Sequence, residues 1–199
     1  MKSTPSFILR FFVTLLCATA SSYAGVVIGE PAPDFTLEDI TSTTHRLSQY
    51  NGKYVVLEWT NPNCPFVKKH YENGDMQRLQ ETFTDQGGVW LSINSGAHGR
   101  EDYDITEEPS TGSAITLLDS NGEVGRRYDA RTTPHMFLID PQGTLIYQGA
   151  IDSIHSTNPS DVPKATNYVV KAFEEALNGQ EVSEPQTRPY GCSVKYAHK

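Results

Sequence analysis

The feature that most constrains this chain lies at residues 54–69, where Tyr54-Val55-Val56-Leu57-Glu58-Trp59 runs into Thr60-Asn61-Pro62-Asn63-Cys64-Pro65. Val55, Val56 and Leu57 are consecutive rather than alternating, as in a strand covered on both faces. Pro65 suits the first position of a helix, because the N–H it lacks is one that a helix start leaves unpaired anyway. A buried strand leading at once into a helix that opens on a cysteine points to a layered α/β architecture.

The remaining signals fit that layering. "FTLEDI" and "THRLSQY" read as a short hairpin closed by Asn51-Gly52. The helix from Pro65 is interrupted at Asn73-Gly74. Asp75 is placed to cap a second piece in which Met76, Leu79 and Phe83 share a face, ending at Gly87-Gly88. "VWLSINS" is the next buried strand. Residues 97–115 are polar and irregular, with Gly99, Pro109 and Gly112. "HMFLID" and "TLIYQGA" form two strands joined through Pro141-Gln142-Gly143. A Ser-, Pro- and Asn-rich loop over 153–165 precedes a last helix from about Asn167, with Val169, Val170, Phe173 and Leu177 on one side and Gly179 as its stop. This order implies a mixed sheet covered by helices, in one domain.

The first 24 residues read as an export signal. Lys2 and Arg10 flank the start, "FFVTLLCATA" is too short to span a membrane, and Ser22 and Ala24 precede a cleavage point at Gly25. The alternative is a lipid anchor on Cys17, against which stands the bulky Leu16 before it. Without the signal the 16 basic residues fall to 14 against 24 acidic, a net charge of −10. So acidic a surface argues against nucleic acid or an anionic membrane as partner. The three cysteines become two, Cys64 and Cys192, which in an oxidising compartment are disposed to meet as a disulfide.

A strand ending in "WTNPNC", a helix opening on the cysteine, and "TTPHMFLID" further on together resemble the thioredoxin fold. Within it the chain is similar to the redoxin branch, the alkyl hydroperoxide reductase and thiol-specific antioxidant superfamily, over roughly Pro31 to Gly179. "NPNCPFVKKHY" with the terminal "RPYGCSVKY" resembles a bacterial group called peroxiredoxin-like or thioredoxin-family proteins. The resemblance implies an α/β thioredoxin-like domain over 25–182, a mixed sheet flanked by helices with an N-terminal hairpin, and a tail over 183–199 that carries Cys192. It also implies a cis peptide at Pro134, with the Thr133-Pro134 loop facing the cysteine, and needs no cofactor.

Cys64 is placed to cap the helix, with the N–H groups of Phe66 and Val67 directed towards its sulfur and Lys68 one turn along. Such surroundings favour thiolate, the nucleophile in disulfide exchange and in peroxide reduction. The bland alternative is a packed or stapling cysteine. Cys192 follows the last helix in "TRPYGCSVKY", where Tyr190, Val194 and Tyr196 supply apolar residues for docking. It reads as an arm returning across the fold to present Cys192 to Cys64, either as a resolving thiol or as a permanent staple.

The resemblance leaves the reaction divided. Peroxiredoxins carry a proline and a threonine where this chain has Leu57 and Asn61, and an arginine where it has Pro134; Arg131 is a candidate substitute, and Thr60 and Asn61 can still bind a peroxide oxygen. The retained Pro134 favours a protein thiol or disulfide as substrate, with a reducing partner of thioredoxin type. A hydroperoxide is the second substrate class. Copper chaperones of this fold need a cysteine where Lys68 stands, and a site from Cys64, Cys192 and His135 is the remaining metal reading, while His70 reads as an ordinary helix residue. A redox-inactive interaction module is the last alternative. The processed protein is expected to begin at Gly25; intact-mass measurement of protein from the native envelope checks this, and an intact Met1 would contradict it.

Overall fold

The computed structural model describes residues 25–96 and 113–196; the segment expected to be an export signal and most of the polar 97–115 segment lie outside them. The strands are β1 (Thr36–Asp39), β2 (Thr44–Arg46), β3 (Val55–Trp59), β4 (Val89–Ser95), β5 (Ile115–Asp119), β6 (Thr132–Thr133), β7 (His135–Ile139), β8 (Leu145–Gly149) and β9 (Cys192–Ser193). The helices are α1 (Pro65–Tyr71), α2 (Asp75–Asp85), α3 (Glu123–Arg127) and α4 (Tyr168–Leu177). Seven strands form one sheet in the order β2-β1-β5-β4-β3-β7-β8. β3, β4 and β5 run parallel, while β7 is antiparallel to β3, and β1 to β5. The sheet is therefore mixed, as expected.

β3 sits in the interior, and every one of its residues is buried. Val56 faces a layer containing Val67, Tyr71, Met76, Phe83, Val169 and Phe173 from α1, α2 and α4. Val55, Leu57 and Trp59 face the opposite layer with Phe35, Leu47, Val124 and Tyr128. Two covered faces explain why the strand's apolar residues run without alternation.

Glu58 shares the face of Val56 and is fully buried. Its carboxylate accepts from Trp90 Nε1 at 2.8 Å, Ser92 Oγ at 3.0 Å, Tyr71 Oη at 3.0 Å and, more weakly, Gln80 Nε2 at 3.5 Å. One acid thus joins β4, α1 and α2 to the strand that leads to Cys64. Burial pushes its pKa up, and the four donors only partly oppose this.

Several expectations are corrected. The β1–β2 hairpin closes at residues 40–43, where Asp39 Oδ1 accepts the N–H groups of Thr41 and Thr43 at 2.8 and 2.9 Å. Asn51-Gly52 instead turns the chain out of a 3-10 segment, Leu47–Tyr50, into β3. Gly74, at φ 76°, holds the cap position of α2, and Asp75 is the first helical residue, paired with Arg78. Asn167 does cap α4, accepting Val170 N–H at 3.0 Å, and Val169 and Phe173 are buried as expected, joined by Ala172, while Val170 is half-buried. Leu177, expected on that face, is 44% exposed because the helix ends there. β5 and α3 carried no sequence assignment; "ITLLD" continues the parallel sheet and Gly122, at φ 66°, starts α3.

Because folding raises the pKa of Glu58, its contribution is most favourable below the ordinary carboxylate value of 4.5 and is lost as pH rises through the folded value. Glu58→Gln is expected to flatten this dependence. Denaturation midpoints of both proteins from pH 4 upward, on the order of one pH step apart, check it: wild type should lose stability relative to the variant as pH rises.

Candidate active site

The loop before α1 is shaped by Asn61. Its side-chain oxygen accepts Asn63 N–H at 2.8 Å and its carbonyl accepts Cys64 N–H at 3.0 Å. Cys64 holds the helix cap position in extended backbone, and its carbonyl accepts the N–H groups of Val67 and Lys68, both at 2.9 Å. Its side chain is buried and donates S–H to the Thr133 carbonyl at 3.1 Å. The Thr133-Pro134 peptide is cis, as the resemblance implies.

The tail returns to this point. β9 pairs antiparallel with β6, setting Cys192 opposite Thr133 and Ser193 opposite Thr132. Val194 N–H adds a bond to the Arg131 carbonyl at 3.1 Å. Gly191, at φ 136°, lies so close to the loop that a Cβ there would stand 2.0 Å from the Thr133 carbonyl oxygen. Cys64, whose S–H reaches the Thr133 carbonyl, and Cys192, set opposite Thr133, are 128 positions apart in sequence and are thereby brought together as two free thiols.

The two sulfurs differ in character. Burial by itself pushes the Cys64 thiol up. The polar groups that surround the sulfur, first the Cys192 side chain, then the Thr133 hydroxyl and the amides of Cys192 and Val67, favour the charged form and outweigh it, so the pKa is lowered. The buried Thr133 hydroxyl has no hydrogen-bond partner among the described residues, which leaves it free to donate to a Cys64 thiolate. Cys192 is pushed up to about 11, first by burial and then by the hydrogen bond and charge of Cys64. The pair thus divides into a more readily ionised thiol, Cys64, and a proton-bearing partner, Cys192.

Other expected residues are less close. Lys68 is exposed; the buried cation of α1 is its neighbour Lys69, since the next helical position turns inwards. Phe66 packs its ring on Tyr190 at 5.8 Å between centroids. Thr60 is buried and its N–H joins the Ile93 carbonyl at 3.0 Å, while Asn61 serves the turn. Arg131 is exposed and bound to Asp129 through Nε at 2.9 Å, so it does not stand in for a peroxidase arginine on Cys64. His135 is buried, with Nδ1 accepting Arg131 N–H at 3.3 Å and its pKa held near 3 by burial. Among the described residues, no group of three or more His, Cys, Asp or Glu is placed to hold a metal ion. Nor is any described helix long and apolar enough to cross a membrane.

Residues 28–148 match the AhpC/TSA family, more than half of the chain. The chain belongs to that family. It is a thioredoxin-fold redoxin and an oxidoreductase. It is 28% identical over 155 residues to the thiol-disulfide oxidoreductase ResA of Geobacillus thermodenitrificans, covering 73% of this chain and 87% of the relative. It is 24% identical over 152 residues to the thiol:disulfide interchange protein DsbE of Tatumella citrea, covering 75% and 79%. Among solved structures it is similar to an uncharacterized conserved protein of Geobacillus kaustophilus, with TM-score 0.74, 26% identity and 87% and 94% coverage. A thioredoxin domain of a Bacteroides vulgatus thiol-disulfide oxidoreductase shares the fold at TM-score 0.53 and 21% identity, over 70% of this chain and 98% of that one.

The donor role of Thr133 is open to test in a Cys192→Ser background, where Cys64 is the only thiol of the processed chain. Adding Thr133→Val should raise the midpoint of the alkylation-rate profile against pH. The rate at neutral pH should fall roughly tenfold, the scale of one hydrogen bond to a charged group. An unchanged midpoint would remove Thr133 from the site.

Proposed function

We propose that the protein is an exported thiol–disulfide oxidoreductase in which Cys64 attacks a disulfide and Cys192 resolves the product. The observation that carries this reading is the meeting of the two cysteines at the Thr133-Pro134 loop, where the tail pairs with β6 through β9. Names of relatives such as ResA and DsbE support disulfide exchange as the reaction and protein disulfides as substrate class.

The steps follow from the pKa difference. Cys64 thiolate attacks one sulfur of an external disulfide, the external S–S bond breaks, and the departing thiolate takes a proton from solvent. Cys64 is then neutral in a mixed disulfide, so the charge that helped hold the Cys192 proton is gone. Cys192 loses its proton and attacks Cys64 Sγ, forming the 64–192 disulfide and expelling the second external thiolate. Two electrons pass from Cys64 and Cys192 to the substrate. A dithiol partner of thioredoxin type restores the thiols by the same steps reversed.

The family match favours peroxide reduction as the second reading. There Cys64 thiolate would attack a peroxide oxygen, release water or alcohol and become a sulfenic acid, which Cys192 would condense to the same disulfide with loss of water. Arg131, turned to Asp129 and exposed, argues against it.

The Cys192→Ser protein should accumulate a mixed disulfide with a protein disulfide substrate, and Cys64→Ser should lose exchange activity by at least about a hundredfold, as loss of an attacking nucleophile does. Gel analysis without reductant and an insulin-reduction assay check both. Rapid peroxide consumption by the reduced protein, with no trapped mixed disulfide, would transfer the assignment to peroxidase.

A further inference from the structure

Cys192 is held between two tyrosines that the redox steps do not use. On one side Tyr196 Oη donates to the Ala130 carbonyl at 2.7 Å, and its ring lies under Arg126 with the guanidinium carbon 4.7 Å from the centroid. Gly122 and Gly125 make room for that ring, since a Cβ at Gly125 would stand 2.5 Å from Tyr196 Oη. This anchor is partly exposed.

The other anchor is buried. Tyr190, two residues before Cys192, is 7% exposed and donates Oη–H to Asp152 Oδ1 at 2.5 Å. Asp152 is itself 2% exposed. Its other oxygen lies 3.1 Å from Lys69 Nζ, an ion pair without hydrogen-bond alignment, and 3.6 Å from His70 Nε2. Lys69 Nζ donates to the Ile154 carbonyl at 2.9 Å and stands 5.1 Å from the centre of the Tyr190 ring. His155 stacks on the same ring at 4.4 Å, and Phe66 meets it edge-on at 5.8 Å. A buried cation, acid and phenol therefore converge on one ring. Lys69 and Phe66 belong to the helix that Cys64 caps, so the network ties the base of the Cys192 arm to the element carrying the nucleophile.

The chain upstream of Tyr190 is held as well. Ser183 binds Glu175 through its N–H at 2.8 Å, and Thr187 Oγ1 meets Tyr147 Oη at 2.7 Å and accepts Ala150 N–H at 2.9 Å. Movement that opens the thiol pair therefore has its natural start at Gly191, between the buried anchor and Cys192, and not at the beginning of the tail.

We infer that Tyr190, fixed by Asp152 and Lys69, is a positioning residue that sets the approach of Cys192 to Cys64. This rests on the disulfide-exchange reading and adds to it the residue that governs the second step. The Tyr190 hydroxyl bonds Asp152 and neither sulfur. It acts by holding the arm at its base, so that ring closure starts from an arm already placed and little conformational freedom is lost at that moment.

The test compares wild type with Tyr190→Phe and Tyr190→Ala after equilibration in glutathione buffers. One glutathione disulfide and the protein dithiol exchange to the 64–192 disulfide and two glutathione thiols, so the equilibrium constant is the effective concentration of the pair. Tyr190→Phe keeps the ring and loses only the bond to Asp152; a fall of roughly three- to tenfold is expected, and a larger fall for Tyr190→Ala. Thermal midpoints are measured on the same samples to confirm folding. In a Cys192→Ser background, adding Tyr190→Phe should leave the rate of mixed-disulfide formation with a small aromatic disulfide within about twofold, since only resolution depends on the arm. A wild-type effective concentration in Tyr190→Phe and Tyr190→Ala would overturn the positioning role while leaving disulfide exchange intact. Equal losses in both steps would also overturn it, because the defect would then be general. Failure of wild type to form any 64–192 disulfide would overturn the exchange reading and the inference together.

Discussion

The site depends on one short strand pairing, Thr132–Thr133 against Cys192–Ser193. It is only two residues long on each side, yet it performs three tasks. It sets Cys192 opposite the residue whose carbonyl accepts the Cys64 thiol, it packs Cys192 against the core cluster that holds the buried Cys64, and it fixes Thr133, whose hydroxyl favours the charged form of that sulfur. Glycine at 191 is what makes the approach possible, since any side chain there would collide with the Thr133 carbonyl. A pairing so short is weak by itself, and its stability is borrowed from the tyrosines on either side.

Those anchors stand on different elements. Tyr190 reaches the α1 side through Asp152 and Lys69, while Tyr196 reaches α3 and the Ala130 carbonyl. Beneath them the sheet is rigidly specified: β3 is buried throughout and Glu58 ties it to β4, α1 and α2 by a set of donors with no water-facing side. Cys64 thus rests on an element with little freedom, whereas Cys192 rests on a strand that two residues complete. Such a division suits a thiol that must stay in place and one that must approach and withdraw.

Much of the fold was legible because its signals are local. The unbroken apolar run at residues 55–57, Pro65 after Cys64, the 141–143 turn and Asn167 before α4 each act within a few residues, and each is found where expected. The cysteine pair was legible for a different reason: beyond the expected export signal the sequence has two cysteines, and the tail carries aromatic residues suited to docking on the fold. What sequence did not reveal depends on contacts far apart along the chain. Lys69 rather than Lys68 turns inward because the sheet lies on that side of α1, and its partner Asp152 stands just before the Ser-, Pro- and Asn-rich loop, with no local signal to mark it. Tyr190 was seen as an apolar docking residue, but its hydroxyl bond to that same aspartate has no local signature. α3 was missed for a simpler reason, being a five-residue helix with few apolar positions.

Formation of the 64–192 bond during turnover is tested most directly by supplying the reduced, processed protein with one equivalent of a disulfide substrate and mapping its thiols by peptide mass. The expected result is loss of both thiols in each chain, release of two substrate thiols, and a single cross-linked peptide pair joining Cys64 to Cys192 within a monomeric chain. Retention of a free Cys192 while Cys64 is consumed, whether in a disulfide between two chains or as a stable sulfenic acid, would contradict it.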